Sequence, residues 1–208
     1  IVYMPQDLDS SSGGQLWVKK DKLLGHVIRQ YFHNSYVKAA TMYVMMDKID
    51  DTVQGAVFRL PLKMESGTMR AATSQVDGLI YYSGLTGWQA GATQEGSIQR
   101  LRHTGDKGIY LREAKARKNR LELTFTEPVN PDSMKRDTFA ASAWNYRWSK
   151  GYGSPTFKIS DPEIRGDDKL SIESIDLSND GTKLIVQIPD LSPCHNLRLD
   201  FEVDGKNG

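Results

Sequence analysis

Gln54-Gly55-Ala56-Val57-Phe58-Arg59-Leu60 returns as Glu95-Gly96-Ser97-Ile98-Gln99-Arg100-Leu101 at a constant offset of 41 residues. Upstream, Gly25-His26-Val27-Ile28-Arg29 loosely matches Gly67-Thr68-Met69-Arg70 at an offset near 42. Both copies open on glycine and then alternate, the pattern of a strand. Within the second copy, Val76-Asp77-Gly78-Leu79-Ile80-Tyr81-Tyr82 reads as a turn followed by a strand, and residues 96–102 as the next strand. A period of about 40 to 45 residues with several short strands per unit marks propeller blades. A ring takes about four to eight blades, so two units predict that further blades lie upstream.

The second half alternates more cleanly. Leu121, Leu123 and Phe125 point one way, with Glu122 and Thr124 the other. Leu184, Val186 and Ile188 repeat the pattern, as do Leu197, Leu199, Phe201 and Val203. Ser178-Asn179-Asp180-Gly181-Thr182 supplies the positive-φ positions of a hairpin turn. Pro128 and Pro131 end a strand, and residues 132–136 predict one short helical turn. This spacing over residues 109–204 predicts a β-sandwich of immunoglobulin size. The expected fold is therefore all-β: propeller-like blade repeats over residues 1–105, then an Ig-like β-sandwich over 106–208.

Composition narrows the function classes. With 27 basic and 26 acidic residues the net charge is +1, which gives no field to draw in nucleic acid. No run approaches the roughly 18 apolar residues of a membrane span. The single cysteine, Cys194, leaves no internal disulfide, no paired-cysteine zinc site and no Cys-x-x-Cys-His haem attachment within these residues. The chain opens without a signal peptide and closes on Asp204-Gly205-Lys206-Asn207-Gly208, so both ends read as cuts within a longer protein.

No catalytic constellation stands out. None of the four histidines is spaced i, i+4 from another, and Gly-x-Ser-x-Gly is absent. His33, in Tyr31-Phe32-His33-Asn34-Ser35, reads as a residue of a turn-like break, either an ordinary turn histidine or one facing a propeller's funnel. Residues 11–14 read as a flexible loop, and Asp50-Asp51 and Asp167-Asp168 as solvated turns.

Aromatic residues are the better candidates for binding. Trp88, beside Gln89 in a glycine-rich loop, either stacks on a sugar ring or cofactor or plugs a gap between blades. Trp144, Tyr146 and Trp148 alternate, which on a strand gives one shared face. That face is either a carbohydrate platform or part of a core or domain seam. Arg70 either reaches an anion in the funnel or joins a surface ion pair.

Taken in order, Ser11-Ser12-Gly13-Gly14-Gln15-Leu16-Trp17-Val18, Gln54-Gly55-Ala56-Val57, Gly67-Thr68-Met69-Arg70, Asp77-Gly78-Leu79-Ile80-Tyr81 and Gly84-Leu85-Thr86-Gly87-Trp88-Gln89 resemble the closing blades of bacterial glucose/sorbosone-dehydrogenase-like propeller proteins. The relevant forms are large, multidomain and associated with cytochrome c. Trp144-Asn145-Tyr146-Arg147-Trp148, Tyr152-Gly153-Ser154-Pro155 and Ile188-Pro189-Asp190-Leu191 continue the match. Leu123-Thr124-Phe125-Thr126-Glu127-Pro128-Val129 with Thr138-Phe139 resembles the opening of bacterial Ig-like modules.

The resemblance implies a periplasmic or extracellular protein whose parent oxidises a sugar-like alcohol or aldehyde. It places pyrroloquinoline quinone (PQQ), Ca2+ and haem c in that parent and none in this chain. The implied partner is the remainder of the parent propeller; the alternatives left by the residues themselves are a carbohydrate-binding module, with carbohydrate as partner, and a protein-interaction or assembly domain. The family's catalytic histidine and most of its cofactor ligands fall in earlier blades, so the resemblance assigns no catalytic residue here.

Overall fold

The computed structural model describes residues 3–18, 30–105, 108–150 and 153–206. The loose repeat at residues 25–29 lies outside them. The chain is all-β with several antiparallel sheets, none closed on itself. It divides into two compact units, residues 1–106 and 107–208.

Unit 1 holds two meanders. The first is β1 (Ser12–Val18), β2 (Gln30–Ser35), β3 (Ala40–Ile49) and β4 (Thr52–Arg59), paired in that order. The second is β5 (Gly67–Thr73), β6 (Ile80–Leu85) and β7 (Gly96–Leu101). The repeated heptapeptides therefore build the last strand of each meander. β3 is the buried centre. Ala40, Thr41, Met42, Tyr43, Val44 and Met45 are buried consecutively, so both faces of the strand are covered. Phe32 stands opposite Tyr43 on one face, and their rings meet edge to face at 6.2 Å. Asp50 takes a φ of +50° in the two-residue β3–β4 turn.

Residues 11–14 are not a loop. They lead into and form the start of β1, where Ser12 pairs with Ser35 and Gln15 with His33, so Gly13 and Gly14 bulge opposite Asn34 alone. A second bulge puts Met69 out of register in β5. The two bulges abut. A Cβ on Gly13 would lie 2.5 Å from the Thr68 carbonyl oxygen and 2.9 Å from that of Met69. Glycine is required there by close backbone approach.

Unit 2 is β-sandwich-like. One sheet runs β13 (Ile175–Leu177), β14 (Lys183–Gln187), β9 (Arg120–Phe125), β8 (Leu111–Arg117). The other centres on β10 (Ala140–Tyr146), paired with β11 (Thr156–Phe157), β12 (Asp168–Leu170) and β15 (Asn196–Asp200). Leu121, Leu123, Phe125, Leu184, Val186 and Ile188 are buried with Ala141 and Ala143. Phe201 joins the two sides of the core, 6.2 Å from Phe125 and stacked on Phe139 at 6.0 Å. The short helical turn falls as two 3-10 turns, Pro131–Ser133 and Arg136–Thr138. Gly181, at φ +72°, forms the β13–β14 turn. Asp168 is not in a free turn: it starts β12, and its carboxylate accepts hydrogen bonds from Ile159 N, Ser160 N and Ser160 Oγ, each at 2.7 Å.

Candidate functional site

The most developed polar cluster lies in unit 1, where residues 5–11 lead into β1 beside β2 and the turn that follows it. Leu8 N and Asp9 N both donate to the Pro5 carbonyl at 3.0 Å, a tight turn that aims Asp9 inward. Asp9 Oδ2 accepts from His33 Nε2 at 2.8 Å and from Ser12 Oγ at 2.7 Å. His33 is not in a turn. It sits within β2, buried, and Gln15 Nε2 faces its Nδ1 at 3.4 Å from the paired strand. The segment is further held by Tyr36 N donating to Ser11 O at 3.0 Å and Val37 N to Ser10 O at 3.2 Å.

Burial alone would raise the Asp9 carboxyl. Hydrogen bonds from His33, Ser35 and Ser12, with the attraction of His33, outweigh that and hold it below its ordinary value. Asp9 Oδ1, Asn34 Nδ2 and Thr68 Oγ1 are buried without a hydrogen-bond partner, while Thr41 Oγ1 donates to Asn34 Oδ1 at 3.1 Å. The Tyr82 hydroxyl lies near Thr41 without a well-formed hydrogen bond, and burial drives its pKa upward.

Chemically, the cluster is an imidazole oriented by a carboxylate. It is not a nucleophile relay, because Ser12 bonds to the carboxylate and not to the imidazole. Its clear consequence is mechanical: Asp9 fastens the N-terminal segment to β2.

Arg70 is in β5, exposed, with Nη1 donating to the Met69 carbonyl at 2.8 Å. A Cβ on Gly14 would come within 3.1 Å of its Cδ. The β1 bulge thus brings His33, opposite Gln15, and Arg70, beside Gly14, to one neighbourhood. Trp88 and Gln89 are elsewhere, on the β6–β7 loop. That loop is tied to the β2–β3 turn by Gly91 N donating to Val37 O at 2.8 Å. Trp88 is 78% exposed, and Gln89 takes a φ of +57°.

In unit 2 the three alternating aromatics do not form one platform. Trp144 is buried in the core, while Tyr146 packs on His195 with ring centroids 4.5 Å apart. β10 ends at Tyr146, and Trp148 beyond it is 98% exposed. The chain leaves the strand where Arg147 turns to the Pro162 carbonyl and to Glu163 Oε1 and lies over the Phe157 ring at 4.4 Å.

The sequence reading missed one exposed aromatic pair, Trp17 with Tyr31. They are opposite one another across β1 and β2, with ring centroids 4.3 Å apart. Its signal was present as alternation in Gln15-Leu16-Trp17-Val18.

No group of three or more His, Cys, Asp or Glu side chains among the described residues is placed to hold a metal. No helix among the described residues is long and apolar enough to cross a membrane. Comparison with protein-family models, curated proteins and solved structures finds no match for this chain.

Proposed function

We propose that this chain is a non-catalytic, C-terminal portion of an exported quinoprotein-like sugar or alcohol dehydrogenase. In this reading unit 1 supplies propeller blades and unit 2 is an Ig-like docking module. The cofactors of oxidation, PQQ with Ca2+ and haem c, then belong to the parent's other regions, and the partner of unit 1 is the rest of that propeller. The observation that supports this reading is the repeat. The meander β2–β3–β4 recurs as β5–β6–β7, with the sequence copies 41 residues apart falling on β4 and β7. The test is the complete coding sequence. Four or more further blade repeats and a Cys-x-x-Cys-His motif outside this segment are expected, and a natural protein confined to these residues would overturn the reading.

Carbohydrate binding is the second reading, favoured by the exposed Trp17–Tyr31 pair and by Trp88. Aromatic faces stack on sugar rings while their edges remain wet. A tryptophan fluorescence titration across a polysaccharide panel tests it. A response abolished by Trp17→Ala or Trp88→Ala supports the reading, and no response to any polysaccharide removes it.

A further inference from the structure

Strands at sheet edges carry unpaired N–H and C=O groups, and proteins blunt them with bulges, charge or short length. Most edges of this chain are blunted. β8 is bulged at Arg112 and carries Lys115 and Arg117. β11, β12 and β13 are two or three residues long. β5 is bulged at Met69 and lies against β1.

β7 is neither bulged nor short, and its one charged residue is Arg100. Its six residues pair with β6 in unbroken register, and no described backbone group bonds to its other edge. One face of the strand is fixed. Ser97 Oγ hydrogen bonds with Ser66 Oγ at 2.6 Å, and Gln99 Oε1 accepts from Glu65 N at 2.9 Å. The opposite face presents Ile98, 80% exposed, with Leu85 beside it at 48%. Of the other regular edges, β15 carries Arg198 and Asp200, and β4 presents Val53 at 40% with Met46 at 48% beside it, so Ile98 is the most exposed apolar side chain on any of them.

We propose that β7 is a homodimerisation edge, pairing antiparallel with β7 of a second copy so that Ile98 stands opposite Ile98. The sequence suits this register. Ser97 then faces Gln99, Gly96 faces Arg100, and Glu95 faces Leu101, so no like charges are opposed. Gly96 is the neighbour of Leu85 across β6–β7. Having no side chain, it leaves a channel in which the partner's Arg100 lays its aliphatic stem beside Leu85. Sliding the pair until Arg100 meets Arg100 sets guanidiniums face to face, which disfavours that alternative. The joined sheets would have six strands, with an Ile–Ile pair at the dyad and a Leu85 on either side. This inference does not rest on the dehydrogenase reading.

The test uses the full chain. Sedimentation from micromolar to near-millimolar concentration is expected to show a monomer–dimer equilibrium. Ile98→Lys, at an exposed position, is expected to leave the circular dichroism unchanged and give monomer throughout. In a Cys194→Ser background, Ile98→Cys is expected to oxidise to a disulfide-linked dimer, because directly opposed residues have their Cβ atoms about 4.5–5.5 Å apart. Ser97→Cys, opposed by Gln99, is expected to remain unlinked. A wild-type chain that stays monomeric overturns the proposal. So does a dimer indifferent to Ile98→Lys, or cross-linking at position 97 as efficient as at 98.

Discussion

His33 Nε2 and Asp9 Oδ2 lie 2.8 Å apart, with each side chain only 6% exposed. The bond therefore joins two segments 24 residues apart out of reach of water. Removing one member leaves the other buried without its partner, which typically costs about 1–3 kcal/mol. Asp9→Ala is expected to destabilise unit 1 by that order, measured by urea unfolding. It is also expected to release residues 5–12 to protease before the rest of the unit opens. Protection of that segment unchanged in Asp9→Ala would show that the backbone bonds to Ser10 and Ser11 suffice to hold it.

Acid should act on the same bond. The folded-state Asp9 carboxyl is depressed below its ordinary value of 3.8, so it binds protons less readily folded than unfolded. Its contribution is fully present above about pH 4 and is lost as pH falls through the depressed folded value. The stability gap between wild type and Asp9→Asn is therefore expected to be constant near neutrality and to narrow below about pH 4. A gap that widens with acid would reverse the assigned sign.

In unit 2 the same logic applies to a turn. Hydrogen bonds from Ser178 Oγ and Thr182 N hold the Asp180 carboxyl down to about 2 from 3.8. The β13–β14 hairpin is expected to loosen across that interval of pH, seen as faster amide exchange in β13. Asp180→Asn, which cannot titrate, is expected to show no such step.

Trp144 and Trp148 belong to one alternating run yet should behave as opposites. Trp144→Ala removes a buried side chain from the sandwich core, a change that costs about 3–5 kcal/mol. Trp148→Ala and Trp88→Ala alter exposed positions and are expected to stay within about 0.5 kcal/mol of wild type. Thermal denaturation of the three variants separates the two classes.

Much of the β architecture is legible in the chain because alternation records burial. Leu121, Leu123 and Phe125 are buried as their pattern implies, and so are Leu184, Val186 and Ile188. The repeated heptapeptides are strands with the same place in their meanders. Periodicity does not record where pairing stops, so Trp148 continued a pattern that the sheet had already left. Composition misled at Ser11-Ser12-Gly13-Gly14, where small residues signal a loop but also suit a bulge pressed against a neighbouring backbone. The partner of His33 was invisible for another reason. Asp9 is joined to it by the path of the chain, and no local spacing announces a contact made across an intervening strand.

Gly13 itself offers a direct check on packing. A methyl group there would press on two backbone carbonyls that have no rotamer with which to yield. Gly13→Ala is expected to cost about 1–3 kcal/mol, read from the midpoint of chemical unfolding. A neutral result would mean that the two bulges separate more easily than their closeness implies.

That contact also edits folding errors. If β1 slid by one residue so that Ser12 took the place of Gly13, its Cβ would press on the Thr68 and Met69 carbonyls. A mispaired first strand could then not close onto β5, and the error would be rejected when the two meanders meet. Gly13 thus works as a one-sided proofreading gauge, refusing that slip while admitting the alignment that sets His33 opposite Gln15.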